Sequence, residues 1–294
     1  MKLPNVTIKN LLEAGVHLGH KTFRWNPKMS KYIFGSKESI HIIDLVQTLE
    51  LTKSALQEIY KCIASGGNIL FVSTKKQASD TVATLAKDTS QFYVNHRWLG
   101  GMLTNWKTIS NSIKRYKRLT EDLKKENTGF TKKEILKMGI QRDKLERSLG
   151  GIADMKKTPD MIFIIDTNVE SLAVKEAQKL NIPIVAIVDT NSDPAGINHP
   201  IPGNDDARRA INLYCELIRQ TILEAQKNIT KSNNIKQKEI ESSEDFKNNK
   251  DIDKEKKSNK KKINNKELKK DSVKKKSSSI ISKIKKLTSK SLKK

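Results

Sequence analysis

Four short, nearly unbroken apolar runs most constrain this chain. They lie within residues 68–73, 91–95, 160–166 and 183–189, and include Ile69–Val72, Met161–Ile165 and Ile184–Val188. Each is too short for a helix, and none alternates with polar residues as a half-exposed strand would. Such runs are strands buried on both faces, which is the condition of a parallel sheet covered by helices. Helical spacing separates them. Residues 46–64 carry Val46, Leu49, Leu56, Ile59 and Ile63 at steps of three and four. A second helix is expected from a Thr74 cap to Leu85, a third over 169–180, and a fourth over 205–225 behind an Asn204 cap. A short helix over 7–14 stops at Gly15, and residues 39–44 hold a further strand-length run. The pattern predicts a doubly wound α/β body.

The two halves of that body are separated by a basic insertion. Residues 105–157 carry 15 basic and 7 acidic groups. Ile109, Ile113, Tyr116 and Leu123 recur at three and four, with Thr120 as the polar exception. Ile135, Met138, Leu145 and Leu149 do the same, with Arg142 as the exception. Residues 124–130 form the turn, and Thr131-Lys132-Lys133-Glu134 is a capping box that restarts the helix. The segment reads as an antiparallel coiled-coil hairpin. Its first arm of about 19 residues reaches roughly 28 Å, so it is expected to protrude from the body. The organisation is therefore 1–104 with 158–226 as the body, 105–157 as the hairpin, and 227–294 as a tail. The tail holds 24 basic and 9 acidic residues, one aromatic, no Gly and no Pro. It lacks the apolar mass to offset ordering and is expected to be disordered in isolation, apart from a transient basic helix over 280–287.

Charge narrows the function. The chain of 294 residues carries a net +24, which favours a polyanionic partner. The longest apolar runs, of about five residues, fall far short of the roughly 20 that span a bilayer, and no signal-length apolar stretch follows Met1. Cys62 and Cys215 cannot build a disulfide framework or a zinc ribbon. A reducing compartment fits.

Enzyme chemistry finds little support. A phosphate cradle needs glycines directly after a strand, but Val72 is followed by Ser73-Thr74-Lys75-Lys76-Gln77, and Gly66-Gly67 precedes the strand. No G-x-S-x-G or H-E-x-x-H is present. Asp166, Asp189 and Asp193 follow strand ends, where catalytic carboxylates sit, but caps and turns use the same residues. A metal is a separate candidate. His17 and His20 precede the sheet, while Asp189, Asp205 and Asp206 lie at its carboxyl edge, and one imidazole with two carboxylates suits zinc or magnesium. Capping explains Asp205 and Asp206 equally well.

Nucleic acid fits better. Residues 21–29 interleave Lys21, Arg24 and Lys28 with Phe23 and Trp25. Residues 96–106 repeat the mixture with Arg97, Trp98 and Trp106, and Gly100-Gly101 turns into the hairpin. The following helix N-terminus offers a phosphate site. Cations neutralise phosphates, while Arg and aromatic planes stack on unpaired bases. Core or staple duty remains an equal reading for the tryptophans. The expected RNA contacts are Lys21, Arg24, Lys28, Arg97, Trp98, Lys107, Lys114 and Arg118. The competing readings are a nucleotide-binding α/β enzyme with a basic accessory hairpin, and a membrane-surface protein held by its tail.

Several of these segments together resemble one family. Ala14-Gly15-Val16-His17-Leu18-Gly19-His20, Trp25-Asn26-Pro27-Lys28-Met29, Phe71-Val72-Ser73-Thr74-Lys75, residues 95–106, Ser148-Leu149-Gly150-Gly151-Ile152, residues 187–194 and Ile201-Pro202-Gly203-Asn204-Asp205-Asp206 are similar to the bacterial-type small-subunit ribosomal protein "S two" family. The resemblance runs from about Val6 to Ala225. It implies a flavodoxin-like fold with a protruding coiled-coil hairpin, and a non-enzymatic structural role in translation. It implies binding to small-subunit rRNA near the head–body junction, and neighbouring ribosomal proteins including the mRNA-binding "S one", which the family helps anchor. It also implies a metal, zinc or magnesium, held by His17, Asp189 and Asp205. A ribosome-bound chain in a bacterial cytoplasm is expected, with no membrane contact and no homo-oligomer; a compact organellar genome can encode such a chain too. Most bacterial members end near Gln226, so the tail inherits no role.

Overall fold

The apolar runs assemble into one five-stranded parallel sheet. In a computed structural model, which describes residues 3–125 and 130–229, they are β4 (Ile69–Val72), β5 (Phe92–Val94), β6 (Met161–Ile165) and β7 (Ile184–Val188), joined by β8 (His199–Pro202). The spatial order is β5-β4-β6-β7-β8. Numbered within the sheet this is 2-1-3-4-5, the flavodoxin-like order. Register is set by facing apolar residues, with Phe71 opposite Phe163 and their rings edge-on at 5.8 Å.

Both faces are covered, and alternate strand residues go to opposite layers. Ile69, Phe71, Phe163, Val185 and Ile187 pack with α1 (Ile8–Glu13), α2 (Leu45–Ala64), α3 (Ser79–Asp88) and α7, the helix over residues 208–229. Leu70, Val72, Ile162, Ile164, Ile184 and Ala186 pack with α6 (Ser171–Lys179) and the roots of α4 (Trp106–Lys124) and α5 (Lys132–Leu149). Caps follow the sequence. Thr7 accepts from Asn10 N, Asp44 from Val46 N, and the Thr131–Glu134 capping box is closed in both directions.

Three local expectations are corrected. Thr74 does not cap α3, which starts at Ser79; its N–H donates to Glu170 instead. β8 reads His-Pro-Ile-Pro, which sequence reasoning passes over; as an edge strand it tolerates prolines that an inner strand would not. The N-terminal segment is richer than one strand: β1 (Leu18–Lys21), β2 (Ile33–Lys37) and β3 (Ile40–Ile43) form a separate antiparallel sheet in the order β1-β3-β2.

α4 and α5 pack along each other, and their burial falls away from the body. Ile109, Ile113 and Leu149 are buried at the root, whereas Ile135 is 42% exposed. Gly151 follows α5 and packs the returning chain against β5. A Cβ there would collide with the Tyr93 carbonyl oxygen and ring. The chain divides into two units, Met1–Ile229 and Thr230–Lys294. The turn at 126–129 and the tail from 230 onward, including the helix expected over 280–287, lie outside the described residues.

Gly151→Ala is expected to cost about 1–3 kcal/mol through this overpacking. Thermal unfolding of the full chain checks it, with a lowered midpoint expected.

Candidate nucleic-acid interface

In an open parallel sheet the carboxyl edge is where ligands bind. Here that crevice is filled by the protein's own charges. Lys75, just past β4, places its Nζ 2.7 Å from Asp166, 2.8 Å from Asp205 and 2.8 Å from Asp206. Asp166 turns into the left-handed region, φ 68°, which Asp tolerates better than most residues. Its Oδ1 accepts from the Asn168 and Val169 N–H groups while Oδ2 meets Lys75. His20 reaches in from β1, Nδ1 2.9 Å from Asp189 and Nε2 3.5 Å from Asp206. A Cβ on Gly19 would lie 2.6 Å from Thr190 Cγ2, so this approach needs glycine.

The titrations follow from the geometry. Burial pushes Asp205 up to about 7, reinforced by Asp189 and Asp166 and opposed by Lys75. Burial would lower Lys75, but Asp205 and the hydrogen bonds to its three carboxylates outweigh it and hold the ammonium charged. The hydrogen bond to Asp189 raises His20, against burial. A nucleotide phosphate arriving here would meet carboxylates in place of glycine N–H groups.

His17, Asp189 and Asp205 are the residues expected to hold a metal. His17 Nδ1 and Asp205 Oδ2 are buried without partners, yet among the described residues no group of three or more His, Cys, Asp or Glu is placed to hold a metal. The imidazole that reaches Asp189 is that of His20, and the countercharge beside Asp205 is Lys75.

A second buried anion organises the loop before α4. Glu176, on α6 and 9% exposed, accepts from Trp98 Nε1 at 3.1 Å and Gly101 N at 2.7 Å through Oε1. Its Oε2 accepts from Leu103 N at 2.9 Å, Thr104 N at 3.1 Å and Thr104 Oγ1 at 3.2 Å. Burial would raise this carboxyl, but the hydrogen bonds from Thr104, Trp98, Leu103 and Gly101 outweigh it and hold it below its ordinary range. Glu176 satisfies N–H groups of the turn that precedes α4, those of Gly101, Leu103 and Thr104, while the helix itself begins at Trp106. One expectation changes. Trp98, expected to contact RNA, is 7% exposed with its indole committed to Glu176, so its ring is a structural anchor. Its neighbour Arg97 is exposed.

The remaining cations differ in how they are held. Lys21 is exposed at the end of β1. The Arg24 guanidinium lies 5.5 Å from the centroid of Phe23, a ring 73% exposed. Lys28 pairs with Asp193 at 2.6 Å, both groups about half in solvent. Lys107, Lys114 and Arg118 are exposed along α4. Sequence reasoning had no site role for Lys75 or Glu176. Glu176 did carry a signal: it follows Ala173 by three and precedes Ala177 on the inward face of α6.

The ligand crevice is spent on internal ion pairs, and exposed cations lie on loops and on α4. This is a scaffold that binds through its surface. The sequence profile of the ribosomal protein S2 family matches residues 11–225. The chain is 59% identical to the small ribosomal subunit protein uS2 of Chelativorans sp. (strain BNC1) over 224 residues, which is 76% of this chain and 84% of the relative. It is 58% identical to that of Sinorhizobium medicae (76% and 88%) and to that of Caulobacter vibrioides strain NA1000 (76% and 84%). The chain belongs to the ribosomal protein S2 family, whose members are structural, non-enzymatic components of the ribosome. No helix among the described residues is long and apolar enough to cross a membrane.

Lys75→Met would leave Asp166, Asp205 and Asp206 without their cation. A loss of about 3–5 kcal/mol is expected, read by urea unfolding. Glu176→Gln turns an acceptor toward donors and is expected to cost about 2 kcal/mol. Because the native Glu176 carboxyl lies below its ordinary 4.5, its stabilisation is present above that pH and is lost as pH falls through the lowered native value. Tryptophan fluorescence followed by acid titration is expected to change there in the wild type and not in E176Q.

Proposed function

We propose that this chain is a structural constituent of the small ribosomal subunit, bound to small-subunit rRNA near the head–body junction. The observation that carries this is 59% identity to a small ribosomal subunit protein over 84% of that protein, in a fold whose ligand crevice is filled by Lys75 and its carboxylates. The mechanism is positional. The α/β body is a rigid platform, with residues 105–157 as an inserted coiled-coil hairpin and 227–294 as an appended basic tail. Lys21, Arg24, Lys28, Arg97, Lys107, Lys114 and Arg118 contact RNA, and Trp98 with Glu176 holds the loop that carries Arg97. The chain acts in the cytoplasm as one copy per particle and helps anchor "S one"; the support for that anchoring is the family resemblance.

Replacing Arg24 and Arg97 by Ala removes two charge-assisted contacts. Incorporation into small subunits is expected to fall about tenfold or more while the melting midpoint stays put. Normal co-sedimentation of the double variant would reject these contacts. Deleting 227–294 is expected to leave co-sedimentation intact; liposome binding that disappears on the same deletion would favour the membrane-surface reading.

A further inference from the structure

We infer that Lys107, Lys114 and Arg118 form one straight row on α4 that docks along the phosphate backbone of a double-helical RNA segment. This rests on the small-subunit reading above and specifies the class of RNA that α4 meets.

The residues are seven and four positions apart. At 3.6 residues per turn these spacings fall within about 20° of a single line along the helix, and the rise separates the charges by about 10 Å and about 6 Å. All three are exposed. None makes an ion pair or hydrogen bond among the described residues. The neighbouring cations that point elsewhere are spent: Arg115 donates to Gln141 on α5 at 3.2 Å, and Lys117 pairs with Asp154 at 2.9 Å. On α4 these two off-row cations are thus paired within the protein, while the row is bare. Like charges four apart on a helix repel, so a bare row is favourable only opposite a polyanion.

The row itself indicates which polyanion. Asn111 lies beside it and Glu121 ends it. It carries no aromatic plane, whereas unpaired bases are held by stacking on aromatic rings. Cations alone read backbone, and a duplex offers phosphates at high linear density along a rigid path. The wide, shallow minor groove of A-form RNA lets a helix lie against its edges. The outward face of α5 has different chemistry: Lys133, Lys137 and Lys144 alternate with Leu136, 67% exposed, and Ile140, 62% exposed. It supplies a control with the same charge change.

The test measures binding of the full chain to a blunt RNA duplex of about 16 base pairs across a salt series. The wild type is compared with K107Q/K114Q/R118Q and with K133Q/K137Q/K144Q, after thermal unfolding shows all three folded. The slope of log affinity against log salt is expected to shrink by about two to three in the row variant, as for three lost phosphate contacts at about 0.9 each, and by less than one in the control. Should the triple variant unfold, Lys114→Gln alone is expected to lower the slope by about one. Equal slopes for the two triple variants overturn the row, as does a larger loss on an unpaired strand than on the duplex. If the row fails while the wild type still co-sediments with small subunits, only this inference falls. If the wild type does not co-sediment, the small-subunit reading falls.

Discussion

A buried ammonium ion holds this molecule's sequence-distant segments together. Lys75 lies after β4, Asp166 after β6, and Asp205 and Asp206 before α7. His20 extends the network from Asp189 and Asp206 to the antiparallel N-terminal sheet. Three carboxylates around one lysine are costly to desolvate, and the arrangement persists because the charges meet in good geometry. The consequence is functional as much as structural. A flavodoxin-like sheet ordinarily leaves its carboxyl edge open for a ligand; here no glycine loop exists and the space carries ion pairs. The fold is left with its surface for binding.

Glu176 does the same work on a smaller scale. A polar loop of ten or so residues leading into a helix exposes backbone donors that need acceptors. Bringing one carboxylate from α6 under residues 98–104 satisfies three N–H groups, an indole and a hydroxyl at once. The loop therefore has a definite shape before any partner arrives. Arg97 stands exposed beside the buried Trp98, and α4 leaves the body from an anchored root. Preorganisation of this kind lowers the ordering cost of binding.

The fold was largely legible because its signals are local. Continuous apolar runs mark Ile69–Val72, Met161–Ile165 and Ile184–Val188 as strands buried on both sides, and the Thr131–Glu134 box marks where α5 begins. What escaped had weak or contradictory local signals. β8 hides behind two prolines, permissible only at an edge. β1, with Leu18-Gly19-His20-Lys21, has no alternation and gains its partner from β3, some twenty residues later. The interface was legible in composition but not in roles. Arg97 and Trp98 look alike as an aromatic–basic pair; one is exposed and the other is buried on Glu176, and only a residue 78 positions away decides which.

By itself the sequence determined the alternation of strands and helices, the basic insertion between the two halves, and the absence of a phosphate loop. These depend on periodicity and on neighbours a few residues apart. Only the tertiary structure decided which charges are spent and which are free. It placed Lys75 among three acids, gave His20 in place of His17 to Asp189, tied Arg115 to Gln141 and Lys117 to Asp154, and left Lys107, Lys114 and Arg118 bare. Ion pairing is set by distance in space, over which spacing along the chain has no control once the sheet brings remote strand ends together.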